Sequence, residues 1–227
     1  METRGCAPST GPGRLSLATP TPDLFTLPPG EAGLSAAETA AVAEARHLIT
    51  ALGCLEDDGF SVACVADITA AEAARRLEAT PADENDVEEI TDDPFSDFDD
   101  SLSLIGITDV PGGCVVFQPW GYTASTPGVM KRLSVGSVCY GMFANPKSGD
   151  QGAVARDGVI EEWDTHPGGG AVTDDDPTED ILTAYLYHLQ AVAYCFACGA
   201  GLRPTDARSI TDQPDVWLRL PEQDWWS

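Results

Sequence analysis

Lysine is nearly missing from this chain. Lys131 and Lys147 are the whole complement, and Lys and Arg together number 12 against 37 Asp and Glu, for a formal charge of −25 at pH 7. A surface this anionic repels nucleic-acid backbones and anionic membrane surfaces, so no nucleic-acid or membrane partner is expected. Long apolar runs are missing too: Ala191 to Ala200 is interrupted by Tyr194 and Gly199 and falls short of the roughly 20 residues a span needs. The opening "METRGCAPSTGPGRLSLATPTP" has no continuous apolar segment and does not read as a secretory signal, which points to a cytoplasmic protein. Catalytic signatures are equally scarce. G-x-S-x-G, H-E-x-x-H, G-x-x-x-x-G-K-[ST] and G-x-G-x-x-G do not occur, so the standard hydrolase, metalloprotease and nucleotide-binding mechanisms have no anchor and no cofactor is expected.

What is there suffices for one core. The 227 residues are 43% hydrophobic, enough for a single well-buried domain. Residues 1–33 are rich in Pro, Gly, Ser and Thr without a period and read as a disordered N-terminal arm, leaving 34–227 as the domain. Seven cysteines is an odd number, and Cys64, Cys114 and Cys139 sit inside apolar, strand-like runs, as reduced thiols of a cytosolic core do.

The pattern predicts an α+β fold, a mostly antiparallel sheet of hairpins and a meander packed against two or three helices. Ser35-x-x-Glu38 and Thr69-x-x-Glu72 are capping boxes, the second following the β-branched run "FSVACVADI". "SLSLIGITDV" and "CVVFQPW" flank Pro111-Gly112-Gly113 and should pair as a hairpin. Thr126-Pro127 caps a short helix, "SVCYGMFA" is a further strand, and Asp157-Gly158 suits a type I′ turn between "GAVAR" and "VIEEW". Asp176-Pro177-x-Glu179 opens the longest helix, with Leu182, Tyr185, Leu186, Leu189, Val192 and Phe196 at helical spacing.

Three blocks, "FSVACVADITAAEAARRLEATP", "GCVVFQPWGYTASTPGVMKRLSVGSVCYGMFAN" and "GVIEEWD", resemble in order those of an uncharacterised, mainly actinobacterial family, domain of unknown function 6461. Glu72, Arg76 and Leu77 match its first motif, Pro119, Gly121 and Tyr122 its second, and Leu133, Ser134, Gly136, Ser137 and Asn145 its third. Trp120 stands where the family usually has Asn, and the acidic insert before Ser101 departs from its spacing. The resemblance implies a bacterial cytosolic origin and an α+β fold, and carries over no catalytic residue.

The most unusual stretch runs from Asp83 to Asp100, with ten carboxylates and no basic residue. It fails the EF-hand pattern, since Val87 and Glu88 occupy positions five and six. Mutual repulsion predicts a solvated loop, while a weak cation site and an acidic docking surface for a basic protein remain as functional readings. Phe95 and Phe98 among Asp97, Asp99 and Asp100 would turn attraction into specific contact. Trp120 and Tyr122 in the loop 118–128, and Trp225 and Trp226 in the tail, are further candidate anchors, and adjacent tryptophans at a chain end cannot easily both be buried. "CFAC", Cys195 to Cys198, lacks a second ligand pair for zinc and reads as helix packing. The sequence therefore points first to a non-catalytic interaction protein of the immunity or antitoxin kind that binds a basic protein. A small enzyme with a cysteine or carboxylate beside loop 118–128, and a metal module on the acidic run, are the alternatives.

Overall fold

The computed structural model describes residues 59–93, 98–145, 149–165, 200–210 and 213–227, with isolated positions between 35 and 46 and Ala197. Eight strands form one antiparallel sheet: β1 (Phe60–Ala66), β2 (Thr80–Pro81), β3 (Leu104–Val110), β4 (Gly113–Pro119), β5 (Val138–Asn145), β6 (Gly149–Arg156), β7 (Val159–Thr165) and β8 (Val216–Arg219), in the order β2-β8-β3-β4-β1-β5-β6-β7. Among the described residues, helices α1 (Ala70–Leu77), α2 (Glu84–Asp92), α3 (Phe98–Ser101) and α4 (Pro127–Leu133) accompany the sheet in an α+β fold. The described positions from 36 to 46 are also helical, and Thr39 N–H donates to the Ser35 carbonyl at 2.9 Å, as the first capping box predicts. The arm 1–33, the helix expected from Asp176 and the cysteines of "CFAC" lie outside the described residues. No helix among the described residues is long and apolar enough to cross a membrane.

β1 is the central strand and all seven of its residues are buried. Ala63 and Val65 join Ile107, Val116, Met130, Leu133 and Leu77 in the core beneath α1 and α4, while Val62, Cys64 and Met142 are fully buried as well. Each large aliphatic so buried contributes roughly 1.5–3 kcal/mol. Both turns read from the sequence form: Val110 pairs with Gly113 across Pro111-Gly112, and Arg156 with Val159 across Asp157-Gly158. At the second turn φ is 50° and 78°, the left-handed pair that a type I′ turn requires. Cys64, Cys114 and Cys139 are buried and not disulfide-bonded, and burial pushes the Cys114 thiol up to about 12 and that of Cys139 well above its ordinary value. Cys114 and Cys139 are therefore packing groups, far from the thiolate a nucleophile needs.

Glu72, Arg76, Ser134 and Ser137 tie α1 and α4 to each other and to the adjoining strands. Thr69 Oγ1 caps α1 by accepting from Glu72 N–H at 3.2 Å, and Glu72 in turn holds Arg76 at 2.7 Å. Arg76 Nη1 donates to the carbonyls of Leu133 and Val135 at 2.6 and 2.8 Å, satisfying acceptors at the C-terminal end of α4. Ser137 donates to the Ala66 carbonyl, and Ser134 Oγ accepts from Gly158 N–H at 3.1 Å.

Two expectations are corrected, and one strand was not foreseen. The acidic run is not a loop where it is described: α2 occupies Glu84–Asp92 and α3 starts at Phe98. Asp83 caps α2 by accepting from Asn85 N–H at 2.9 Å, Glu84 and Asp86 lie at the positive end of the helix dipole, and Ile90 is buried beneath it. Repulsion among the acids is offset by one cation, since Arg219 of β8 reaches Asp86 at 2.9 Å and also binds Asp100. β8 itself was not anticipated, and it inserts between β2 and β3. Finally, Thr126 occupies the N-cap position of α4 with Pro127 opening the helix, as expected, but its hydroxyl donates to the Thr123 carbonyl at 2.8 Å instead of capping.

Candidate functional site

Gln118 organises the loop that the sequence marked out. It is fully buried at the end of β4, where Nε2 donates to the carbonyls of Leu102 and Leu104 at 2.8 and 3.1 Å and Oε1 accepts from Thr123 N–H at 2.6 Å. The loop is thereby lashed to the start of β3. Trp120 turns the chain with a left-handed φ of 59°, a conformation that Asn adopts far more readily than a large aromatic. A 3-10 turn over Thr123–Ser125 follows, and Tyr122 is set edge-on against Phe143 of β5, ring centroids 6.1 Å apart.

The tail then returns to this loop. Leu220 N–H donates to the Ser103 carbonyl at 2.8 Å, and Gly128 N–H to the Trp225 carbonyl at 2.8 Å. A side chain at Gly128 would place its Cβ 2.7 Å from that same carbonyl oxygen, so only glycine admits the tail. Trp225 is 8% exposed and packs beneath the Arg132 guanidinium, 4.9 Å from its ring centroid. Trp226 is 57% exposed and leans on Tyr122 at 5.6 Å.

Two cavities share Tyr122 and Trp226 as a common wall. The larger, about 690 Å³, carries the carboxylates of Asp100, Glu222 and Asp224 and the guanidinium of Arg219. Arg219 is already engaged by Asp86 and Asp100, which hold its pKa up against the opposing effect of burial, so the unmatched charge of this wall is negative. The smaller cavity, about 240 Å³, is closed by Phe143 and by Trp163 of β7, which is 55% exposed.

Of the residues singled out in the sequence, Asp100, Tyr122, Trp225 and Trp226 come together here, with one tryptophan of the tail pair buried and the other available. Trp120 lines neither cavity. Phe95 and Asp97 lie outside the described residues, and Phe98 and Asp99 are described only in their helical backbone. Phe143, Trp163, Glu222 and Asp224 were missed. Trp163 had a signal, an aromatic among acids on the strand "VIEEW", whereas Phe143 could be placed only by the pairing of β5. Among the described residues no group of three or more His, Cys, Asp or Glu is gathered as a metal site, and neither cavity wall includes His or Cys. No family model, no curated protein and no solved structure matches this chain.

Proposed function

We propose that this is a non-catalytic binding protein of the immunity or antitoxin kind, acting in a bacterial cytoplasm, which holds a basic protein on the face where the tail meets loop 118–128. The observation that carries this reading is the shared Tyr122–Trp226 wall, with one ring largely exposed and the carboxylates of Asp100, Glu222 and Asp224 beside it. Exposed aromatics set among matched charges are how interfaces combine an energetic anchor with steering. The net charge of −25 extends the attraction beyond the contact itself.

The test is affinity capture at low and high salt with the intact chain, Trp226→Ala, and the combined Glu222→Gln and Asp224→Asn variant. The reading expects a basic protein held in a stoichiometric complex, released by salt, and lost with either variant. A complex indifferent to both variants, or none in any condition, sinks it.

A further inference from the structure

We propose that Tyr122, Phe143, Trp163 and Trp226 form an aromatic cage for a methylated ammonium group. Four rings surround one cavity of about 240 Å³, smaller than the pockets that take drug-sized ligands and suited to a compact head group. Two of the ring contacts are fixed, Tyr122 against Phe143 at 6.1 Å and against Trp226 at 5.6 Å. Trp163 and Trp226 are 55% and 57% exposed, which leaves much of each side chain accessible to a ligand. The same tail shows what such a ring does when a cation is at hand: Trp225 carries Arg132 over its face at 4.9 Å, while Trp226 turns toward the cavity.

The remaining wall selects among cations. Among the described residues it consists of Ser125, Gly141, Gln151, Gly152 and Ala153, none of them charged. The Ser125 hydroxyl proton is committed to the Tyr122 carbonyl at 2.9 Å. A bare ammonium has three N–H donors, and in place of its hydration the described wall offers only neutral side-chain acceptors, the Ser125 and Gln151 oxygens. A methylated ammonium has few or none, spreads its charge over methyl groups, and is held by the negative faces of the rings. The chain's overall negative potential draws it in. The cation can come from a free solute such as choline or from a trimethyllysine on the basic partner, and the chemistry of the cage is the same for both.

The test uses the full chain and isothermal titration with choline against 3,3-dimethyl-1-butanol, its uncharged isostere. A second pair is a trimethyllysine peptide against its unmodified form. Saturable binding of choline over the alcohol, or of the trimethylated peptide over the unmodified one, weakened about three- to thirty-fold by Trp226→Ala and by Trp163→Ala, is the expected result. Both tryptophans are largely exposed, so both variants should keep the parent's thermal midpoint, which is checked alongside. Tighter binding of choline assigns the cage to a solute, tighter binding of the peptide to a modified partner. Equal binding of the two members of each pair, or no loss in the variants, overturns the cage. The cage shares Tyr122 and Trp226 with the face proposed for the partner, yet the outcomes separate: a partner held without cation selectivity ends this inference alone, and selectivity without a partner ends the other.

Discussion

Gln118 satisfies two β3-side carbonyls and one loop N–H from a position with no access to water, so its loss cannot be made good by solvent. Gln118→Leu keeps much of the volume and strands those groups, at a cost of about 2–4 kcal/mol, read as a lower denaturant midpoint with unchanged slope. The same variant should loosen Tyr122 and dull any ligand response of the cavities, because Thr123 N–H is what positions the turn. A Gln before Pro-Trp-Gly at a strand end looks like surface polarity when read as a string. Its role depends on Leu102 and Leu104, whose carbonyls meet it only once the hairpin has closed.

Glu72 links α1 to α4 through Arg76, and its hydrogen bonds to Arg75 and Arg76 bring its carboxyl down to about 2. A carboxylate with a depressed folded-state pKa lends stability that is complete above its unfolded value, about 4.3, and is lost as pH falls through the folded one. Between about pH 4.5 and 2 the parent should therefore lose stability that Glu72→Gln never had, so the two stability curves converge on acidification. At the other edge, Arg219→Ala releases Asp86 and Asp100 together. The pairs are partly exposed and screened, so the expected cost is about 1 kcal/mol, with faster amide exchange over Glu84–Asp92 as the local sign. Hairpins and caps were legible because Asp157-Gly158, Pro111-Gly112-Gly113 and Thr69 act within a few residues. The helix α2 was obscured by its charge, although Asp83 and Ile90 were the cap and anchor to look for. β8 was illegible because "VWLR" is four residues long and becomes a strand only between two partners distant in sequence.

For the whole molecule, charge works on folding and binding in opposite directions. Self-repulsion among 37 acids opposed by 12 bases disfavours the compact state, and salt relieves it. Raising ionic strength to about 0.5 M should lift the thermal midpoint while weakening capture of a basic partner. If both move in the same direction, the charge is not the source of the attraction. Retention of a methylated ammonium in the cage should vary less with salt, since desolvated ring contacts are screened less than exposed carboxylates.

The placement of β8 also sets the order of events in folding. Arg219 and Asp100 stand 119 residues apart, and the last strand must slot between β2 and β3, which are already separated in the chain by the acidic helices. Loop closure over such spans is slow, so the β3–β4 and β5–β6–β7 hairpins and the β1 strand between them can assemble early while the β2–β8 edge zips late. Trp225 and Trp226 arrive only with that final step. A chain that has not finished folding accordingly offers no tryptophan wall, and ligand recognition at this face becomes a readout of completed assembly.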